Sequence, residues 1–480
     1  MGETYENKLA AWPEWPAARR QQAEQLLEDA LSGLQGKIIV LDDDPTGVQT
    51  VHGVSVYTDW SLETMLAGFR ETNRIFFILT NSRGLVASET TAVHREIAAH
   101  AAAASKQLGM PYLIVSRGDS TLRGHYPLET EVLRETIESV SDTKYDGEVI
   151  LPYFREGGRL TIDNTHYVKD GDRLVPAGET EFAKDRTFGY TSSDLGEWVA
   201  EKSDGAYRAA DTTFITLESL RALDLDTIVG QLMGVQHFNK VVVNATEDAD
   251  VRVFAAALIR AIGAGKQFLF RTAASFTKII GGVSDRALLN AQELLKDQPD
   301  GGGLIIVGSH VKKTTAQLQA LQQLSGIHCI EFNVHLVTDT AAFEAETTRV
   351  IAETEHLLAE GKTVTVYTKR ERLDLGDGRQ EDELKQSIRI SDAVTSIVQR
   401  LQQRPRYLVA KGGITSSDIG TRGLSVQRAT VAGQIRPGIP VWLTGSESKF
   451  PGLPYIIFPG NVGEVDTLKA TVQQLDAYSS

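Results

Sequence analysis

Cysteine is almost absent from this 480-residue chain, with Cys329 the only one. That excludes an intramolecular disulfide, together with zinc or iron–sulfur sites built from cysteine clusters. Long apolar runs are missing too. No stretch approaches the roughly 18 uninterrupted apolar residues that cross a bilayer. Met1–Glu6 has no basic segment leading into an apolar run, so no secretory leader is expected. Basic charge is in deficit: 49 Lys and Arg stand against 63 Asp and Glu, a formal net charge of −14. Such a balance argues against surfaces for nucleic acid or anionic lipid. Neither a Walker-A sequence nor a GxGxxG fingerprint occurs, which excludes standard P-loop and Rossmann sites. What remains is a soluble, cytoplasmic chain long enough for two or three domains of roughly 100–200 residues.

Residues 1–36 read as an appended helical segment, with Ala17–Leu34 rich in Ala, Gln, Glu and Leu. From Lys37 onward short apolar runs alternate with helical patterns. The runs are Ile38–Leu41, Arg74–Leu79, Tyr112–Ser116, Glu148–Leu151 and Lys240–Val243, with helices expected over Ser88–Leu108, Leu128–Val140, Ala249–Ala264 and Ser284–Leu295. Asp297–Gly303 (DQPDGGG) breaks the pattern and suggests an inter-domain joint. A second series follows at Leu304–Val307, Thr363–Tyr367, Tyr407–Ala410, Val441–Leu443 and Tyr455–Phe458. The expected architecture is α/β. It comprises a lobe over 37–296, a linker over 297–303 and a lobe over 304–480, with mainly parallel sheets and a cleft between the lobes.

Open α/β sheets bind ligands beyond the carboxyl ends of their strands, so the strand-end loops deserve the closest reading. In the first half they carry Asp42-Asp43-Asp44-Pro45-Thr46-Gly47, Thr80–Gly84 and Arg117–His125. Five arginines in such loops, Arg83, Arg117, Arg123, Arg155 and Arg159, could gather around an anion, because guanidinium groups hold carboxylates in a two-point fork. Alternatively, each pairs with a neighbouring acid. Asp119, between Arg117 and Arg123, should stay ionised and could orient a hydroxyl nucleophile. In the second half the loops are glycine-rich: Gly308-Ser309-His310, Lys411-Gly412-Gly413-Ile414-Thr415 and Pro459-Gly460-Asn461. Glycine lets backbone N–H groups approach phosphate oxygens, which suggests a nucleotide site. His52, His125 and His166 read as hydrogen-bonding loop histidines rather than metal ligands, and Cys329 as an inert core thiol.

Taken in order, DDDPTG (Asp42–Gly47), TNSRG (Thr80–Gly84), RGDSTLRGHY (Arg117–Tyr126), GGRLTIDNTHY (Gly157–Tyr167), GSHVKKTTAQ (Gly308–Gln317), KGGITSSD (Lys411–Asp418) and FPGNVG (Phe458–Gly463) resemble the four-carbon acid sugar kinase family. The resemblance covers roughly residues 37–465. It implies an acid-sugar lobe followed by an ATP lobe, with phosphate passed to a terminal hydroxyl of a threonate-, erythronate- or 3-oxo-tetronate-type acid. It further implies acid-sugar contacts from Asp43, Arg83, Arg117, Ser120, Arg123, Arg159 and His166, with Asp119 as base. Nucleotide contacts would come from Ser309, Gly412, Gly413, Ile414, Thr415, Gly460 and Asn461. Mg²⁺ would arrive with the ATP rather than on a protein site. Arg117, His310-Val311, Ile414 and the Val48–Val54 stretch depart from the family pattern.

Two rival readings follow from the same residues. Asp42-x-Asp44-x-Thr46 after an apolar strand, followed by Leu79-Thr80-Asn81 after another, also matches the first two motifs of haloacid-dehalogenase-like phosphatases, with Asp42 as nucleophile. A non-catalytic sensor of acid sugar or nucleotide would keep the same loops. The expected partners are the small-molecule acid sugar and ATP, with room for a homo-oligomer.

Overall fold

The computed structural model describes residues 8–371, 380–460 and 462–478. The chain divides into two compact units: 1–47 with 59–284, and 48–58 with 285–480. In chain order the strands are β1 (Lys37–Asp42), β2 (Ser55–Tyr57), β3 (Ile75–Leu79), β4 (Tyr112–Arg117), β5 (Gly147–Leu151), β6 (Arg159–Ile162), β7 (Thr165–Asp170), β8 (Arg173–Pro176), β9 (Thr213–Ile215), β10 (Asn239–Val243), β11 (Phe268–Thr272), β12 (Leu304–Val307), β13 (Ile327–Phe332), β14 (Thr363–Thr368), β15 (Leu408–Lys411), β16 (Arg428–Arg436), β17 (Ile439–Thr444) and β18 (Pro454–Phe458).

In the first unit seven strands run parallel in the order β3-β1-β4-β11-β5-β10-β9. Continuous apolar sequence suits this placement, because helices cover both faces of such a sheet. Accordingly β1 and β3 are buried along their whole length. A small antiparallel sheet, β6-β7-β8, is joined to the main body by a bridge between Thr161 and Ala245. The N-terminal helix Ala17–Gly33 buries Ala23 and Leu27. Ahead of it Trp15 is also buried, and its indole Nε1 donates to Asp250 at 2.8 Å.

The second unit contains β13-β14-β12-β15-β18 in parallel, continued by antiparallel β17, β16 and β2. The chain therefore leaves the first unit after Gly47, lends β2 to β16, and returns at Asp59.

Three expectations are corrected by the coordinates. The change of unit falls at Ser284/Asp285 rather than at Asp297–Gly303, because Leu289, Ala291, Leu294 and Leu295 pack in one core with Ile305, Val409 and Ile456. The helix expected over Ser284–Leu295 is confined to Ala291–Leu295, since Asn290 and Glu293 form a capping box that starts it there. Cys329 is exposed on β13, not buried, because alternate residues of that strand face outward.

Candidate functional site

Strand order assembles the first constellation. β1 lies between β3 and β4, with Asp42 in register with both Leu79 and Arg117, while β11 pairs Thr272 with Arg117. Four adjacent carboxyl ends thus bring together the Asp42–Gly47, Thr80–Gly84 and Arg117–Gly124 loops and Arg271.

Local contacts hold each loop. The Thr80 N–H and hydroxyl both donate to the Asp42 carbonyl, at 2.9 and 3.0 Å. The Ser82 and Ser116 hydroxyls donate to the two oxygens of buried Glu129, at 2.6 and 3.2 Å. His166 Nε2 sits 2.8 Å from the Ser120 carbonyl, and the Tyr190 hydroxyl donates to the Thr121 carbonyl at 2.7 Å. Arg271 Nη2 donates to the carbonyls of Arg123 and Asp119, at 2.9 and 3.4 Å. A β-carbon at Gly118 would meet the Arg271 guanidinium and displace it from the carbonyls it holds.

Within this frame the charges form two layers. The deeper one contains Asp42, Asp43, Arg117 and Arg271, all buried. Arg117 lies 3.2 Å from Asp42 and 3.7 Å from Asp43. Neither Asp43 carboxylate oxygen has a hydrogen-bond partner. Burial pushes Asp42 up to about 8 and Asp43 up to about 6, with arginines opposing the shift in both cases.

The outer layer contains Asp44, Arg83, Asp119, Arg123 and Arg159. Arg83 reaches Asp44 at 2.7 Å and Asp119 at 3.5 Å, and Arg123 Nε donates to Asp119 Oδ2 at 2.7 Å. The Thr121 hydroxyl donates to the same Asp119 oxygen. Burial would raise the Asp119 carboxyl, but Arg83, Arg123 and these hydrogen bonds outweigh it and hold it well below the usual carboxylate range. Arg123 and Arg159 both pack over the Phe182 ring, at 5.1 and 5.8 Å. The Arg159 guanidinium donates to the Gly157 carbonyl, while its buried Nε has no partner.

The structure therefore brings Asp43, Arg83, Arg117, Asp119, Ser120 and Arg123 into one constellation, with Arg159 alongside. Arg155 is exposed. The buried arginine beside the group is instead Arg271, which the sequence reading missed because it overlooked β11; its signal was an arginine at the end of the apolar run FLFRT. His166 is fully buried, with Nδ1 facing the Thr161 hydroxyl at 3.0 Å and Nε2 engaged by Ser120. Burial lowers it to about 4, so the neutral ring holds the Ser120 loop from beneath. Among the described residues, no cluster of three or more His, Cys, Asp or Glu side chains is arranged to hold a metal.

The second constellation lies at the carboxyl ends of β14, β12, β15 and β18. A cavity of about 620 Å³ is lined by Ser309, Gly412, Gly413, Ile414 and Thr415, together with Thr368, Arg370 and part of the helix Gln380–Arg400. Gly412 has φ +126°, which L side chains rarely adopt, and a β-carbon there would lie 2.9 Å from Ser309 Cβ. Gly460 lies against the Ser309 hydroxyl, and Thr314 Oγ1 donates to its carbonyl at 2.9 Å. Asn461 lies outside the described residues. Lys411, fully buried at the end of β15, donates to the Pro459 and Gly460 carbonyls, and burial together with Lys313 brings it down to about 7. Arg370, another strand-end arginine, was not found from sequence.

Two family models match the chain. A sugar-binding N-terminal domain covers residues 38–280, just over half the chain, and a nucleotide-binding C-terminal domain covers 304–468. The chain belongs to this two-domain family. The charged constellation thus lies in the sugar-binding domain and the glycine-lined cavity in the nucleotide-binding domain. No curated protein matches the chain. Among solved structures, a Salmonella typhimurium LT2 protein provisionally labelled a tRNA synthase is similar, with TM-score 0.66, 15% identity, and 91% of this chain and 99% of that one covered. The Haemophilus influenzae protein HI1011 has TM-score 0.58 and 16% identity over the same shares. At these identities the likeness shows the shared fold. Among the described residues no helix is long and apolar enough to cross a membrane.

Proposed function

We propose that the protein is an ATP-dependent kinase that transfers the γ-phosphoryl group to a terminal hydroxyl of a four-carbon acid sugar. The observation that carries this reading is the sugar-domain constellation. It combines an ionised, immobilised carboxylate, Asp119, with several arginines at strand ends, in a chain that also has a nucleotide-binding domain. Asp119 Oδ2 is occupied by Thr121 and Arg123, whereas Oδ1 has, among the described residues, only the 3.5 Å contact with Arg83. Oδ1 is therefore the oxygen that would accept the substrate hydroxyl. A carboxylate so weakly basic acts mainly by orienting that hydroxyl, and takes its proton late, which suits a loose phosphoryl-transfer transition state. Arg123 and Arg159 would hold the sugar carboxylate. Mg²⁺ in this reading is carried by the ATP phosphates, whose charge it neutralises.

The phosphatase alternative needs Asp42 as an accessible nucleophile. That carboxylate is buried, paired with Arg117, and covered by Gly47 so closely that even a β-carbon would not fit. The test is ADP release from MgATP over D- and L-threonate, D- and L-erythronate and the 3-oxo-tetronates, with the neutral tetritols as controls. ADP should form with an acid and not with its polyol. Phosphate release from a phosphoester without ATP would establish a phosphatase, and acid binding without ADP across the whole panel would establish a sensor.

A further inference from the structure

The nucleotide-domain cavity contains a cation to which neither the family match nor the glycine loops assign a role. Arg370 follows β14 and lines the cavity together with Ser309 and Gly412. Its Nη2 donates to the Ser309 carbonyl at 2.6 Å and to the Thr315 hydroxyl at 2.9 Å. These two anchors fix the guanidinium to the loop after β12. Its Nε and Nη1 are shielded from solvent and have no hydrogen-bond partner, and no carboxylate pairs with it among the described residues. Burial without such a partner lowers its pKa. A guanidinium is unfavourable in that state, and an anion entering the cavity relieves it.

The neighbouring cation cannot take this role. Lys411 is fully buried and its ammonium is committed to the carbonyls of Pro459 and Gly460, so it shapes the FPG loop from behind. Lys312 and Lys313, at the start of the helix Lys312–Leu321, are exposed. Arg370 combines a place on the cavity wall, two anchoring bonds and, among the described residues, a charge with no carboxylate partner.

We propose that Arg370 is the anion-binding residue of this cavity and holds the phosphate chain of a nucleoside triphosphate. The choice of anion rests on the nucleotide reading above; the anion seat itself does not.

The test measures binding of ATP, adenosine and inorganic tripolyphosphate to the full-length protein by calorimetry, in the wild type and in Arg370→Gln and Arg370→Lys. Arg370→Gln should weaken ATP and tripolyphosphate by at least about tenfold, as expected for losing a charged hydrogen-bonding partner. Adenosine should stay within about twofold, which also shows that the cavity is folded, and Arg370→Lys should fall between. Unchanged ATP affinity in Arg370→Gln would overturn the proposal, as would loss of adenosine in step with ATP. A wild type that binds tripolyphosphate but neither ATP nor adenosine would remove the nucleotide reading alone. The seat would then stand if Arg370→Gln lost tripolyphosphate and fall if it did not. A wild type that binds none of the three would remove both.

Discussion

Asp119 shows how neighbours set the role of a single carboxylate. Thr121, Arg123 and Arg83 keep it charged and aimed, so its removal should affect turnover more than binding. Asp119→Asn is expected to lower kcat by about 10²–10⁴-fold, the span usual for a positioned general base. ATP affinity should stay within about twofold by calorimetry, since the substitution lies outside the nucleotide cavity. His166 makes a different prediction. Its folded-state value is about 4 because of burial, against roughly 6.5 in an unfolded chain. Below pH 6.5 the unfolded state binds the proton first. The stability His166 contributes is therefore complete above 6.5 and is lost as pH falls toward 4. Asp42, raised to about 8 by burial, has the opposite slope, with stability falling as pH rises from its ordinary value toward 8. The informative measurement is the difference in Tm between wild type and His166→Gln. Relative to the wild type, the variant should gain stability as pH falls from 6.5 to 4; a constant difference would rule out His166 as the titrating group.

At the scale of elements, both constellations depend on loops that are pinned rather than loose. Arg271, His166 and Tyr190 hold the backbone of the Asp119–Arg123 loop through its carbonyls. Lys411, Thr314 and Gln317 do the same for the carbonyls of Pro459, Gly460 and Glu464. Gly412 is the sharpest test of this arrangement. Its backbone, φ +126° and ψ 144°, lies close to a region nearly reserved for glycine. Gly412→Ala should cost about 1–3 kcal/mol in the unfolding of the second unit. It should also weaken ATP binding by pressing on Ser309, and denaturant melts with calorimetry would read the two effects separately.

For the molecule as a whole, the N-terminal segment proves to be part of the first unit's packing. Trp15 donates from its backbone to Glu247 and from its indole to Asp250, both at 2.8 Å, and Arg221 stands 5.8 Å from its ring. Asp250 in turn accepts from the N–H groups of Thr246 and Glu247 at the start of the helix Asp248–Gly263. Trp15→Ala should therefore destabilise the first unit by about 3–5 kcal/mol, as large aromatic truncations in cores do, measured by urea unfolding. ATP affinity should not change. The net charge of −14 does not describe the sugar-binding domain's constellation, where Arg83, Arg117, Arg123 and Arg271 gather at a few strand ends.

What the sequence determined by itself was local. Apolar runs long enough to be buried on both faces marked β1, β3, β4, β5, β10 and most strands of the second unit, because a parallel sheet covered by helices requires them. Once those strands were placed, the rule that ligands meet strand carboxyl ends picked out Asp119, Arg83, Ser309 and Gly412. Short or amphipathic strands such as β2, β6 and β9 left too little pattern to be seen. Tertiary structure alone decided which neighbours each charge has. Arg271 clamps a loop about 150 residues away in sequence, and the segment 48–58, which carries β2, belongs to a different unit from the chain on either side of it. Protonation and pairing depend on distance and burial, which are set when strands take their order. For that reason Asp42 and Asp119, both strand-end aspartates in sequence, differ in the structure: one is buried and raised, the other clamped and lowered.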